Sequence, residues 1–167
     1  EAALRELAKE IAAKHGQAVI VEPFLPGREF TVGLLGEKRP RVLPILEVVF
    51  TDPSEKFPIY TFEHKFGNNG KVRGEVPAKV TPALEAEIGR MARDVFVALG
   101  CRDFARVDLR MDANDRLQFI EVNPLPGLSP GFSDFCLMAE AAGMEYRALV
   151  EEILAPALRR LRASRRA

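Results

Sequence analysis

The sequence predicts an α+β fold in which a largely antiparallel sheet is flanked by helices. Segments that alternate between polar and apolar residues follow one another through turns rich in Pro, Gly, Asn and Asp, which is typical of antiparallel strands. Other segments carry apolar residues at helical spacing. With 167 residues and 47% hydrophobic content, the chain is large enough to form one domain with a buried core.

Composition excludes several classes of partner. Lys plus Arg equals Asp plus Glu, at 24 each, so no net field favours nucleic acid or an acidic membrane surface. No apolar run approaches the length of a membrane span, and the N-terminus does not resemble a signal peptide. Cys101 and Cys136 are too few for a disulfide framework. We therefore expect reduced thiols, a cytoplasmic location, and no nucleic-acid or membrane partner.

Helix signals are strongest near Thr81. Thr81 fits an N-cap and Pro82 fits the first helical position, and apolar residues then recur at helical spacing until Gly100. An N-terminal helix is expected from Glu1 to about His15, where Gly16 ends it.

Two more helices are expected near the C-terminus, over about 133–142 and from Glu145 onward. Pro156 should kink or restart the last one. The arginines within 159–167 are expected to form a basic tail that is solvated or disordered.

Three strands are expected in the first half of the chain, over 18–25, 28–35 and 41–50. Because Pro23 disfavours a hydrogen-bonded position, 22–25 is expected to leave the ladder and expose its backbone groups. The Pro26-Gly27 turn would join the first two, and Pro44 interrupts the third. From there to about Lys79 the pattern is irregular and rich in glycine. A loop of this length in a compact domain is usually functional or disordered.

A hairpin is expected from two alternating runs, 105–111 and 116–123, joined by Asp112-Ala113-Asn114-Asp115. Alternation sends Ala105, Val107, Leu109 and Met111 to one face, and Arg106, Asp108 and Arg110 to the other. If the turn is centred on 113–114, Glu121 lies opposite Arg106 and diagonal to Asp108.

One face of this hairpin then carries Arg106, Asp108, Glu121 and Asn123. Two carboxylates and an amide oxygen suit Mg²⁺ that is held jointly with substrate phosphates. The alternative is a solvated hairpin face with a cross-strand Arg–Glu pair, which would be only weakly stabilising.

The segment after Asn123 is a loop, because 124–131 is too rich in Pro and Gly for a helix or a central strand. Three separated motifs bear on the function: the connector 22–29, then Phe-Glu-His-Lys-Phe at 62–66, then Arg-x-Asp at 106–108 with Glu-Val-Asn-Pro at 121–124 and the following Pro-Gly. In this order they resemble the C-terminal part of the ATP-grasp fold, most closely the D-alanine–D-alanine ligases. The resemblance extends from about Val19 to Ala142.

The resemblance implies an ATP site. Glu22 would bond the exocyclic amine of adenine, and the segment Pro23-Phe24-Leu25 would read the ring edge through its backbone. Glu29 would hold the ribose hydroxyls, and Lys65 would reach the terminal phosphates as a point charge. The alternative for Glu22 and Glu29 is that both are ordinary surface charges.

The resemblance also implies a metal site and an oxyanion site. Asp108, Glu121 and Asn123 would hold one or two Mg²⁺ ions, with Mn²⁺ as a substitute. Arg106 and the N–H of Gly127 would stabilise the oxyanion of a tetrahedral intermediate.

Two residues are candidates for contact with the second substrate. Phe66 stands where dipeptide-forming members often carry Tyr, and Ser133 is the nearest candidate for binding the substrate carboxylate. His64, although a tempting general base, is assigned a flanking structural role.

The function implied is an ATP-dependent carboxylate–amine ligase of peptidoglycan biosynthesis that acts on small amino acids through an acyl phosphate. The chain begins without Met, and the resemblance places a glycine-rich loop and a substrate domain in an N-terminal portion outside it, so we expect part of a longer enzyme. A homodimer is left open. The alternatives are a nucleotide-binding or kinase-like ATP-grasp module, a ligase for another amino acid or a hydroxy acid, and a structural interaction domain.

Overall fold

The α+β class with a largely antiparallel sheet is confirmed by the computed structural model, which describes residues 1–52, 54, 56–60 and 71–165. In chain order the elements are α1 (Ala2–His15), β1 (Glu29–Gly36), β2 (Arg41–Val42), β3 (Leu46–Phe50), β4 (Val72–Glu75), α2 (Pro82–Ala98), β5 (Asp103–Met111), β6 (Leu117–Asn123), α3 (Asp134–Ala141) and α4 (Tyr146–Ser164).

The strands form one sheet in the order β4-β3-β1-β5-β6, and β2 pairs with the end of β1. Every pairing among these strands is antiparallel. Pro44 separates β2 from β3, as the sequence predicts, because proline cannot donate to the ladder. The central strand β1 is buried from Phe30 to Leu35.

One face of the sheet is covered by α2. Its predicted start is confirmed: Thr81 Oγ1 accepts a hydrogen bond from Leu84 N at 3.3 Å, and Pro82 is the first helical residue. The apolar side chains that alternate along β1 and β5 pack against this helix. Together with residues of the helix and of the neighbouring segments, they form one buried cluster: Phe30, Val32, Leu34, Ile45, Ile88, Ala92, Phe96, Ala105, Val107, Leu109, Met111 and Leu117.

The opposite face is covered in part by α3 and α4, whose apolar residues form a second buried cluster with Leu35, Leu43 and Leu46. Gly33 in β1 permits this packing. A Cβ at residue 33 would lie 2.9 Å from Leu43 Cδ1 and 3.2 Å from Met138 Cε. The part of this face that the two helices do not cover carries the polar side chains described below.

The expected departure of 22–25 from the ladder is confirmed, but the strand expected over the preceding residues is wrong, since all of 18–25 lies outside the sheet. The physical reason is that both edges of β1 are already occupied, by β3 and β2 on one side and by β5 on the other. Ile20 and Val21 are therefore 82% and 57% exposed. The N-terminal helix is confirmed, with Gly16 ending it at φ 64°, but α1 buries none of its side chains.

Helices α3 and α4 confirm the two predicted C-terminal helices, with two corrections. Pro156 does not restart the helix, because α4 continues through this buried proline as one helix; the predicted kink stays a prediction. The expected basic tail is helical as far as Ser164. It is anchored by Arg160, which pairs with Asp103 Oδ2 at 2.6 Å and also with Glu37.

Both cysteines are free thiols, with Cys136 buried and Cys101 partly buried. In the described part of the chain, no helix combines the length and the apolar character that crossing a membrane would require.

Candidate active site

The predicted hairpin is confirmed, but its register differs from the expectation. Asp108 lies directly opposite Glu121, and Arg106 lies opposite Asn123. The predicted pairing of Arg106 with Glu121 is wrong for two reasons. Next to the turn, Met111 pairs with Leu117, so the register is already one residue away from the expected one. Ile120, the extra residue of a β-bulge between Asp108 and Leu109, adds a second residue of shift.

The consequence is that Arg106, Asp108 and Glu121 share one face of the sheet, with the two carboxylates opposite each other. Arg106 Nη2 lies 2.8 Å from Asp108 Oδ2 and 3.9 Å from Glu121 Oε1. Thr31 on β1 donates a hydrogen bond to Asp108 Oδ1 at 2.9 Å. Asn123 Oδ1 accepts from Leu125 N at 3.1 Å.

Arg106 is held between two elements. Its side chain is 11% exposed, and its Nη1 lies 3.5 Å from Oδ2 of Asp134, the first residue of α3. Burial opposes the charge of Arg106, but the carboxylates of Asp108, Asp134 and Glu121 outweigh it, so the pKa of the guanidinium is raised. Arg106 therefore remains a fixed positive charge beside the carboxylates.

The loop after β6 is packed tightly at Gly127. A Cβ at residue 127 would lie 2.9 Å from Ser133 Oγ, so a side chain at this position would have to displace the Ser133 hydroxyl. Ser133 is buried, and its Oγ accepts a hydrogen bond from Ser129 N at 3.0 Å. The structure thus gives Ser133 a role in shaping the loop, and its predicted contact with substrate stays a prediction.

A cleft of about 770 Å³ opens on the polar face. It brings together the predicted adenine segment and the charged residues of β5 and β6, although 80 to 100 residues separate them in the sequence. Its lining comprises Glu22, Pro23, Phe24, Leu25, Glu29, Ile59, Tyr60, Arg106, Asp108, Arg110, Gln118, Phe119, Ile120 and Glu121.

Of the other predicted site residues, Asn123, Gly127 and Ser133 are not part of this lining. Lys65 and Phe66, with the neighbouring His64, lie outside the described residues, and their predicted roles stay predictions.

Glu29 lies inside the cleft beside Arg110, whose Nη1 is 2.9 Å from Glu29 Oε2. Burial raises the pKa of Glu29, and the nearby Arg110 counteracts this only in part. Glu29 is therefore not an ordinary surface charge, which removes one of the two alternatives that the sequence left open for it.

Sequence reasoning missed three cleft or loop residues. Strand alternation placed Arg110 on the face of Asp108 but assigned it no role. Tyr60 lines the cleft, and burial raises its pKa to about 12, so it is a protonated hydroxyl at neutral pH. Asp134 is the first residue of α3 and lies beside Arg106. Neither Tyr60 nor Asp134 belongs to a pattern that would have revealed it.

The donor set fits a hard cation only in part. Among the described residues, no group of three or more His, Cys, Asp and Glu side chains is gathered as a metal site. Asp108 and Glu121 are two carboxylates on one face, with Asn123 as a neighbouring amide. Magnesium commonly takes one or two protein carboxylates and completes its shell with water and substrate phosphates, and this set is compatible with that chemistry.

Comparison with known proteins agrees with this geometry. The chain is 37% identical over 164 residues to an uncharacterised protein of Sinorhizobium fredii, covering 95% of this chain and 46% of that protein. It is 40% identical over 147 residues to a D-alanine–D-alanine ligase of Thermotoga petrophila, covering 87% and 46%. The chain thus spans about half the length of these curated relatives.

Among solved structures, the chain resembles a D-alanine–D-alanine ligase of Bacillus anthracis complexed with ATP. The TM-score is 0.72 at 23% identity, and the match covers 96% of this chain and 50% of that one. The family model described as "D-ala D-ala ligase C-terminus" matches residues 1–155. The chain therefore belongs to the D-alanine–D-alanine ligase C-terminal family, an ATP-grasp fold.

Proposed function

We propose that the protein containing this chain is an ATP- and Mg²⁺-dependent carboxylate–amine ligase that resembles D-alanine–D-alanine ligase. One observation carries the proposal: a single cleft joins the segment Glu22–Leu25 to the charged residues Arg106, Asp108 and Glu121. A nucleotide lying along this cleft would present its base to the first group and its phosphates to the second.

Each end of the cleft offers chemistry suited to its part of the nucleotide. At one end, Glu22 and the backbone of Pro23 and Leu25 would read adenine, with Glu29 on the ribose. At the other, Lys65 would reach the terminal phosphates. Phosphoryl transfer depends mainly on positioning and charge neutralisation, which are the contributions that fixed, partly buried side chains can make.

Asp108, Glu121 and Asn123 are the residues that would hold Mg²⁺, or Mn²⁺ in its place. A bound ion would neutralise charge on the phosphates as the substrate carboxylate becomes an acyl phosphate. Thr31 orients Asp108 through its 2.9 Å hydrogen bond. Arg106 and the N–H of Gly127 would stabilise the oxyanion that forms when the amine attacks, an interaction worth about 3 kcal/mol.

Further parts of the enzyme belong to the proposal. The relatives are about twice as long as this chain, and α1 leaves its apolar residues Leu4, Leu7 and Ile11 exposed. We assign the glycine-rich phosphate loop and the first-substrate pocket to an N-terminal portion of the same enzyme. The same portion would pack against the exposed apolar residues of this helix. The free thiols favour the cytoplasm.

A second candidate is a ligase whose acceptor is another amino acid or a hydroxy acid. It is favoured by Asp134, a buried carboxylate 3.5 Å from Arg106 that lies directly after Ser133. A carboxylate at this point would favour an acceptor with a cationic side chain over D-alanine, whose side chain is an uncharged methyl group.

The test is phosphate release from ATP by the full-length protein with Mg²⁺ and a panel of amino and hydroxy acids, D-alanine included. The proposal expects release that requires both the metal and an acceptor, with a dipeptide or depsipeptide as product. Release stimulated by an acceptor other than D-alanine would favour the second candidate. ATP binding without acceptor-dependent release across the panel would contradict both and would favour the kinase-like alternative.

A further inference from the structure

Among the residues that the structure describes, Arg110 is the more enclosed of the two arginines that line the cleft. It extends from β5 on the same face as Asp108, and its side chain is only 7% exposed. Its guanidinium carbon lies 5.1 Å from the ring centroid of Phe24 and 5.3 Å from that of Phe50. Phe24 belongs to the predicted adenine segment, so Arg110 contacts that segment directly.

Two of the three nitrogens of this guanidinium are satisfied. Nε donates to the carbonyl oxygen of Gly27 at 3.2 Å, and Nη1 donates to Glu29 Oε2 at 2.9 Å. The third, Nη2, is buried and has no hydrogen-bond partner within the described part of the chain. A buried donor of a charged group that lacks an acceptor is costly, and such a group in a ligand cleft indicates that a ligand supplies the acceptor.

Arg28 provides the contrast within the same sheet. It also lies over an aromatic ring, 5.1 Å from the centroid of Phe30, and also pairs with a glutamate, Glu47. Its Nε and Nη2 donate to the two carboxylate oxygens at 2.7 and 2.6 Å, and Nη2 donates further to Lys79 O. Arg28 is not part of the cleft lining. The two arginines therefore differ in burial: the side chain of Arg28 is 41% exposed to solvent, whereas the third nitrogen of Arg110 is buried without an acceptor.

We propose that Arg110 is a nucleoside-contacting residue, whose Nη2 donates a hydrogen bond to an acceptor atom of the purine or the ribose. The inference rests on the proposed function, because it requires ATP to lie in this cleft. It adds a specificity role: Arg110 ties Glu29 and the adenine segment to the bound nucleoside, and it selects nucleosides that offer an acceptor at this point.

The experiment compares Arg110→Met with the matched variant Arg28→Met in the full-length protein, using calorimetric titration with ATP and with inorganic tripolyphosphate. Arg110→Met should weaken ATP binding by about 10- to 100-fold, as for loss of a hydrogen bond from a charged donor. Tripolyphosphate binding should stay unchanged, since it lacks the nucleoside. Arg28→Met should lower thermal stability and leave both affinities within about two-fold of wild type.

Five ATP analogues then identify the acceptor: 1-deaza-ATP, 3-deaza-ATP, 7-deaza-ATP, 2′-deoxy-ATP and 3′-deoxy-ATP. An analogue that lacks the bonded atom should bind wild type more weakly than ATP does, and should lose no further affinity in Arg110→Met. If the losses from the variant and from every analogue simply add, Arg110 acts only through the fold, and the inference is wrong.

Two further outcomes separate this inference from the proposed function. Wild-type protein that binds ATP no better than Arg110→Met does would overturn the role of Arg110 and leave the ligase proposal standing. Wild-type protein that binds neither ATP nor tripolyphosphate would overturn both.

Discussion

The two faces of strand β5 differ in polarity, in charge and in what packs against them. On one, Ala105, Val107 and Leu109 are fully buried in the cluster beneath α2. On the other, the alternate residues Arg106 and Asp108 line a cleft and pair with each other. The same nine-residue strand therefore provides core packing on one side and the candidate chemistry on the other.

The difference shows how stability and function are separated in this fold. The packed face gains free energy from apolar area removed from water. The polar face places charges in a partly buried cleft, where they are costly unless paired or occupied by ligand. Substitutions on the two faces should therefore affect different measurements, and the following predictions test that separation from the largest effect to the smallest.

Asp108→Asn should reduce Mg²⁺-dependent turnover of the full-length protein by at least about 100-fold. The substitution removes a proposed metal ligand, so the loss should exceed the loss expected for a residue that only orients a ligand. The measurement is acceptor-dependent phosphate release per folded molecule. Asp94→Asn, on the exposed side of α2, is the control and should keep wild-type turnover. Full activity of Asp108→Asn would remove Asp108 from the site.

Leu109→Ala should lower the free energy of unfolding by about 2–5 kcal/mol, since it empties a fully buried position of the packed face. Denaturant titration measures this loss. At a temperature where the variant remains folded, its affinity for ATP should match that of wild type. A large loss of affinity without a loss of stability would show that the two faces are not separable.

Thr31→Val should lower turnover by about 10- to 100-fold, because it removes the hydrogen bond that orients Asp108 and keeps the shape of the side chain. Thr31→Ser, which retains the hydroxyl, should recover most of the activity. Steady-state rates over a range of Mg²⁺ concentrations measure the effect. Equal rates for the two variants would mean that the Thr31–Asp108 contact does not contribute.

Glu29→Gln should produce the smallest effect, a change in how stability depends on pH. Burial raises the pKa of Glu29 above its ordinary value of 4.5, so the folded state holds this proton more tightly than the unfolded state. The contribution of Glu29 to the free energy of unfolding is therefore present below about pH 4.5, and it is lost as the pH rises through the raised pKa.

Glu29→Gln removes this titration. As the pH rises from 4.5 to neutrality, the stability of the variant should therefore fall less than that of wild type. Thermal unfolding across this range measures the difference, with Glu87→Gln on the exposed side of α2 as the control. Parallel pH profiles for Glu29→Gln and wild type would contradict the raised pKa.

The features that the sequence predicted correctly depend on local chemistry. Thr81 and Pro82 mark a helix start through their own backbone preferences, and alternation alone assigns Ala105 and Arg106 to opposite faces. The ATP-grasp assignment came from the resemblance of three motifs rather than from any local rule. Its placement of Glu22 near Asp108 agrees with the cleft.

The errors arose where the structure is determined by contacts between residues that are far apart in the sequence. The β-bulge at Ile120 moves Glu121 by one position without any distinctive residue type. The run that includes Ile20 has strong β propensity, but no free edge of β1 is left to pair with it. Arg160 reads as part of a basic tail until Asp103, 57 residues away, is placed beside it.

The most direct test of the account is a crystal structure of the full-length protein with Mg²⁺ and a non-hydrolysable ATP analogue. The account predicts the base beside Glu22–Leu25 and the metal, bridged to the phosphates, on the oxygens of Asp108 and Glu121. A nucleotide bound elsewhere, or a metal that contacts neither carboxylate, would contradict it.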